Sequence, residues 1–313
     1  MKQTTAVVAA VAIVLVVGGG LYAGLYLSTP SANCSTSGGA IQVVAAENFW
    51  GSLVSQIGGT HVNVTSIVTD PNTDPHEYES NTADARLITN ACFIIVNGAG
   101  YDTWAMNLIA AANTAHQTVL NVQELLGQPG DANPHFWYSP YYVNATVRGM
   151  YDDLVKIDPA NSGYYRQQYA SLNSSLWNSY MHQEGIIKRL FSGTPVASIE
   201  SIFVYMGNAT GLNIITPPEF MKSVSEGNDP SAQDVATFED QLNGGNTTVR
   251  VLVYNVQTVT PLTQSLLALA AKNQIPYIRI SETIQPPNFT FQAWMQGEVG
   301  ELQNALNAPI LGK

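Results

Sequence analysis

Charge is scarce in this chain. Only 11% of its 313 residues are Asp, Glu, Lys or Arg, well below the quarter usual for soluble domains. The scarcer sign is positive: 12 Lys and Arg stand against 23 Asp and Glu, for a formal net charge of −11. No Lys/Arg run or basic patch occurs, which argues against a nucleic-acid partner. Cysteine is nearly absent. Cys34 lies in a Ser/Thr/Gly stretch and Cys92 opens the apolar run Cys92-Phe93-Ile94-Ile95-Val96. The expectation is a buried, unbridged Cys92 and a fold that does not rest on disulfides. Neither an HExxH nor a Gly-x-Ser-x-Gly motif is present, so the common zinc-protease and serine-hydrolase signatures are missing. Histidine numbers only five.

Apolar sequence is plentiful, at 45% of residues. A dense block of it lies at the N-terminus, where Lys2 precedes an uncharged stretch from Ala6 to Leu27. That run meets the roughly 20 residues a membrane span needs and exceeds the ~7–15 of a signal-peptide core. Residues 1–27 are therefore expected to be a transmembrane anchor, with Lys2 cytoplasmic and the remainder outside the cell. Asn33 before Cys34 is not the small residue that a lipidated cysteine normally follows, so an uncleaved anchor is favoured over a lipoprotein. Seven Asn-x-Ser/Thr sequons, at Asn33, Asn63, Asn144, Asn173, Asn208, Asn246 and Asn288, fit a glycosylated extracellular surface.

Beyond a linker at 28–40, short apolar strands alternate with helical segments. Strands are expected at Ile41–Ala46, Val62–Val68, Cys92–Asn97 and Thr118–Asn121. A second series is expected at Pro195–Ile199, Leu212–Thr216, Val249–Tyr254 and Pro276–Ile280. Strands separated by helices of this length imply βαβ units and parallel sheets. A long helical stretch from Asp158-Pro159 to about Leu190 separates the two series. The expected architecture is α/β: an N-terminal lobe over 41–157, a bridging helix over 158–191 and a C-terminal lobe over 192–313.

Ligands of parallel α/β sheets collect beyond the carboxyl ends of the strands. Two of the five histidines, His76 in Asp74-Pro75-His76 and His135 in Asn133-Pro134-His135, follow a proline at such ends. Proline fixes φ and so aims the residue after it. In the second lobe Glu200 and Glu282 stand just past strands. Taken alone, each residue is ordinary, a polar loop side chain or a helix N-terminal carboxylate. Together they place two imidazoles opposite two carboxylates, a set able to close around a divalent cation.

These segments resemble the substrate-binding proteins of zinc and manganese ABC importers, a metal-binding family that includes surface lipoproteins. The resemblance runs from about Val43 to the C-terminus and rests on DPHEYESNTADARLI (74–88), VNGAGYDTW (96–104) and NPHFWYSP (133–140). It implies two lobes joined by one rigid helix, and partnership with a membrane permease and its ATPase. It also implies metal ligation by His76, His135, Glu200 and Glu282, and no catalysis. A monomer is expected. Glu200 stands where many zinc binders have His and manganese binders have Glu. Glu282 departs from the family's Asp by one methylene. Asp74, Glu77 and Glu79 rank below these four, and His61, His116 and His182 are expected at the surface. The donor set favours Mn²⁺ over Zn²⁺, with Fe²⁺ third, although intrinsic affinity rises toward Zn²⁺. Competing readings are a metal-dependent hydrolase and an adhesin or metal-chelate binder. A hydrolase would keep an open position and a general base at its metal.

Overall fold

The computed structural model describes residues 39–112, 117–245 and 248–309. The first lobe holds strands β1 (Ile41–Glu47), β2 (Val62–Val68), β3 (Phe93–Val96) and β4 (Thr118–Asn121). They form one sheet in the order β2-β1-β3-β4, parallel at every pairing. The second lobe repeats the pattern with β5 (Pro195–Ser198), β6 (Asn213–Ile214), β7 (Leu252–Asn255) and β8 (Tyr277–Ile280), in the order β6-β5-β7-β8 and again all parallel. In each sheet the strand order reverses direction once, between β1 and β3 and between β5 and β7. Crevices at such reversals are where open α/β sheets bind ligands.

Helices α1 (Asn48–Gly58), α2 (Thr82–Asn90), α3 (Thr103–Ala112), α4 (Val122–Leu125) and α5 (Pro140–Ile157) belong to the first lobe. Starts are set by capping side chains. Asn81 and Asp84 form a reciprocal capping box on α2, and Ser139 caps α5 with Pro140 at its first position. The second lobe carries α8 (Val204–Ala209), α9 (Pro218–Ser225), α10 (Ala232–Leu242), α11 (Pro261–Lys272) and α12 (Phe291–Asn307). Helix α9 was not expected from the sequence. Pro218 occupies its first turn, where a missing N–H costs nothing. At the other end of α12, the Arg250 guanidinium donates to the carbonyls of Leu306 and Ala308, a cationic cap on the helix's C-terminal carbonyls.

The bridging segment is helical throughout but is not one regular helix. A 3₁₀ turn at Pro159–Asn161 leads into α6 (Ser162–Leu176), then a π-helical turn at Trp177–Met181, then α7 (His182–Phe191). Ser179 within that turn has non-helical dihedrals (φ −91°, ψ −108°), so the uninterrupted rod expected from the sequence is kinked there. Just beyond the kink, the buried Glu184 carboxylate has no hydrogen-bond partner on either oxygen. Burial pushes its carboxyl well above the ordinary range. Replacing it with a volume-matched apolar residue, Glu184→Met, is expected to stabilise the protein by about 1–3 kcal/mol. Denaturant titration checks this, and a loss of stability would assign Glu184 a partner.

One apolar cluster runs through both lobes. It joins Val43, Phe93 and Ile95 of the first sheet to Val196, Val253 and Ile280 of the second, together with Phe291 and Trp294 of α12. Separate clusters fill the outer face of each sheet. The lobes thus share buried core rather than touching only at polar rims.

Cys92 corrects the sequence reading. It is buried as expected, at 2% exposure, but it is disulfide-bonded. The chain's other cysteine, Cys34, lies outside the described residues. The expected anchor over 1–27 also lies outside them, and among the described residues no helix is long and apolar enough to cross a membrane. Of the sequons, Asn63, Asn144, Asn208 and Asn288 are exposed and Asn173 is half-buried, while Asn33 and Asn246 lie outside the described residues.

Candidate metal centre

Every candidate ligand arrives from the carboxyl end of a strand. The segment after β2 turns at Asp74, whose carboxylate accepts the His76 backbone N–H at 2.9 Å. That bond starts the 3₁₀ turn Pro75–Glu77 and directs the imidazole inward. Asp74 therefore shapes the turn, as expected, and Glu77 and Glu79 are exposed. The segment after β4 delivers His135, fully buried against Trp137 (ring centroids 5.2 Å apart) and Tyr101 (6.2 Å). Trp137 stacks in turn on Phe49 at 4.1 Å. From the other lobe, Glu200 follows β5 and Glu282 follows β8, both buried.

His76, His135 and Glu282 each offer a ligand atom, and these atoms lie within 4.8 Å of one another. Glu200 is not in that group. Its Oε2 accepts from Thr258 Oγ1 at 3.1 Å, and its Oε1 is buried without a partner. It is close enough to Glu282 for the two carboxylates to repel. Burial first, and Glu282 second, push the Glu200 carboxyl up to about 8. Burial likewise raises Glu282, opposed by His76, whose Nε2 lies 3.6 Å from Glu282 Oε2. The structure thus brings three of the four expected residues together and leaves the fourth beside them. His76 alone retains contact with solvent, its side chain 25% exposed. Of the remaining histidines, His182 is exposed, His61 packs edge-on against Tyr164, and His116 lies outside the described residues.

The chemistry of His135 is fixed by Asn133. Asn133 Nδ2 donates to the Ser201 carbonyl at 2.8 Å, which orients its Oδ1 toward His135. That oxygen accepts both the His135 backbone N–H (3.1 Å) and ring Nδ1–H (2.6 Å). The proton is thereby held on Nδ1, and the lone pair falls on Nε2. Nε2 is buried and has no partner. Burial, with His76 adding repulsion, pushes the imidazole well below its ordinary pKa, so the ring is neutral and its nitrogen available to a cation. Asn133→Ala is expected to weaken metal binding by about 10–100-fold, the range for losing the group that orients a ligating histidine. Isothermal titration against the parent protein reads this, and an unchanged affinity would deny Asn133 that role.

Several partners were not anticipated. Tyr101 donates its hydroxyl across the cleft to Glu282 Oε2 at 2.7 Å. Asn255, at the end of β7, donates to Glu282 Oε1 at 2.6 Å. Gln257 ties the two lobes, accepting the Glu282 N–H at 2.5 Å and donating to the Thr73 carbonyl at 2.8 Å. Beneath the site, Glu47 and Asp102 form a second buried acidic pair. Asp102 accepts the backbone N–H groups of Asn97 (2.6 Å) and Gly98 (2.9 Å), and burial still raises it to about 6. Burial and then Asp102 raise Glu47 well above the carboxylate range. Asn255 and Gln257 follow a predicted strand, so that strand's carboxyl end was the available signal.

Residues 43–305 match the model of the zinc-uptake complex component A, periplasmic family (ZnuA). The chain belongs to this family. It is 28% identical over 193 residues to the manganese-binding lipoprotein MntA of Halalkalibacterium halodurans, covering 58% of this chain and 61% of that one. It is 26% identical over 207 residues to the manganese ABC transporter substrate-binding lipoprotein PsaA of Streptococcus pneumoniae, covering 60% and 65%. The matched stretches thus span just under two thirds of these relatives. The fold is that of the crystal structure of ZnuA, with a TM-score of 0.69 at 20% identity over 86% of this chain and all of the other.

Proposed function

We propose that this protein is the extracytoplasmic binding component of an ABC importer for a divalent transition metal. His76, His135 and Glu282 hold the ion, and Glu200 closes on it as the fourth ligand. The observation that carries this reading is the buried lone pair of His135 Nε2, which has no partner and faces His76 and Glu282. An unpaired imidazole nitrogen beside a desolvated carboxylate is unfavourable until a cation joins them. All four positions are protein side chains, which suits capture rather than catalysis. The relatives' names, manganese-binding for MntA and manganese importer component for PsaA, point the same way.

The ion supplies charge that offsets two buried carboxylates. Everything else is done by the chain. Asn133 holds the proton on Nδ1 of His135, Asn255 and Tyr101 aim Glu282, and Thr258 holds one oxygen of Glu200. His76, the exposed ligand, is the side of the site from which the ion enters and leaves. The shared apolar core between lobes supports a small closure rather than a wide hinge. A membrane permease and its cytoplasmic ATPase receive the ion. Residues 1–27 tether the binding domain to the cell membrane, and the protein acts as a monomer.

Two imidazoles and two carboxylates favour Mn²⁺ somewhat ahead of Zn²⁺, with Fe²⁺ a further candidate. Metal analysis of the purified protein, followed by calorimetry with each ion, tests the proposal. Binding of both Mn²⁺ and Zn²⁺, at about one ion per chain, is the expected result. Zinc binding with no measurable manganese binding would overturn the manganese preference, and no binding of either ion would overturn the function.

A further inference from the structure

A third buried carboxylate, Glu298 on α12, stands behind the site and touches none of the four candidate ligands. Its Oε1 accepts from the Ser281 N–H (3.0 Å) and Trp294 Nε1 (2.9 Å), and it lies 3.0 Å from Ser281 Oγ, whose single hydrogen is shared with the Thr283 carbonyl, also at 3.0 Å. Its Oε2 lies 2.6 Å from Tyr138 Oη. Tyr138 belongs to the turn that carries His135, and its hydroxyl is also 2.7 Å from the Ser281 carbonyl. Ser281 immediately precedes Glu282.

The hydrogens around Tyr138 Oη can be counted. Two oxygens stand at hydrogen-bond distance, and each contact requires one hydrogen. The Ser281 carbonyl can only accept, so it takes the single phenolic hydrogen. The contact with Glu298 then needs a hydrogen from the carboxyl itself. Were Glu298 ionised, two acceptors would compete for one hydrogen inside the protein, at the cost of an unsatisfied buried oxygen.

We propose that Glu298 is a positioning residue for the metal site, acting as a neutral carboxylic acid that locks Ser281 to Tyr138 across the cleft. This rests on the reading of Glu282 and His135 as ligands. One group thereby fixes the backbone next to a carboxylate ligand from one lobe and the turn bearing an imidazole ligand from the other. Burial also pushes the Glu298 carboxyl up to about 8, in keeping with a proton retained at neutral pH.

The neutral acid has a close mimic. In Glu298→Gln the amide N–H replaces the acid hydrogen toward Tyr138, and the amide oxygen replaces Oε1. Titration of Mn²⁺ and Zn²⁺ into the full chain at neutral pH is the test, with the melting curve of each metal-free variant as a folding control. Glu298→Gln is expected to bind within about threefold of the parent. Glu298→Ala and Tyr138→Phe are expected to weaken binding about 10–100-fold while remaining folded, the range for loss of a supporting hydrogen bond. The infrared difference between parent and Glu298→Gln is expected to show loss of one protonated-carboxyl C=O band. A folded Glu298→Ala with parent affinity overturns the positioning role. Should Glu298→Ala fail to fold, a folded Tyr138→Phe with parent affinity overturns it instead. A Glu298→Gln variant as weak as Glu298→Ala, or no lost acid band, overturns the neutral form. A parent protein that binds neither ion would instead remove the metal site itself.

Discussion

Glu282→Ala lowers the affinity for divalent metal by about two to three orders of magnitude, the largest loss expected for any single change in the cleft. Apparent binding energies near neutral pH for four-ligand zinc sites are about 10–16 kcal/mol, or roughly 3 kcal/mol per ligand. Glu282 carries more than an average share because both its oxygens are already aimed, by Tyr101 at 2.7 Å and Asn255 at 2.6 Å. Truncation leaves those two donors facing a void. Glu200→Ala is expected to cost less, since removing Glu200 also relieves its repulsion of Glu282. Glu282→Asp retains the charge and should fall between parent and alanine. Competition with a chromophoric chelator gives all three constants. An Ala variant of Glu282 binding as tightly as the parent would take this residue out of the site.

The metal-free protein should lose stability as pH rises from about 5 to 8, and bound metal should restore it. Glu200 and Glu298 rise to about 8 and Asp102 to about 6, each chiefly through burial. Glu47, Glu184 and Glu282 are raised as well. A carboxyl whose folded pKa exceeds its unfolded value favours folding fully below the unfolded value, near pH 4. That advantage is lost as pH climbs toward the folded value, at about 1.4 kcal/mol per pH unit for each independent group. Mutual repulsion between Glu200 and Glu282 makes their joint loss smaller than the sum. His135 acts in the opposite sense. Its folded pKa is depressed, so its contribution is present above about 6.5 and is lost as pH falls below that. The metal-free melting temperature should therefore be highest in mildly acidic buffer. A cation takes the place of the protons on Glu200 and Glu282, so the melting shift on adding Mn²⁺ grows between pH 6 and 8. Saturation at 1,000 times Kd adds about 4 kcal/mol. A metal-free melting temperature that is flat or rising from pH 6.5 to 8 would contradict this account.

Much of the proposed site could be read from sequence because its residues sit where strands end. Pro-His turns and carboxylates just past apolar runs are local features, and local features survive in one dimension. The two parallel sheets were legible for the same reason. What escaped was made by approach of distant segments. Tyr101 reaches Glu282 across 181 positions, and Tyr138 reaches Glu298 across 160; neither pairing leaves a periodic trace. The kink at Ser179 was hidden because the flanking residues keep good helical patterning. The disulfide at Cys92 was hidden because a buried apolar setting suits a free thiol equally well.

The four proposed ligands sort by lobe: both imidazoles follow strands of the first sheet, and both carboxylates follow strands of the second. Hardness and softness of the site are therefore inherited through separate halves of the polypeptide. Selectivity can drift in one half, by exchanging oxygen for nitrogen after β5 or β8, while the other stays unaltered. If the proposed function holds, a hybrid joining this first lobe to the second lobe of a more zinc-preferring relative is expected to change metal preference without touching His76 or His135.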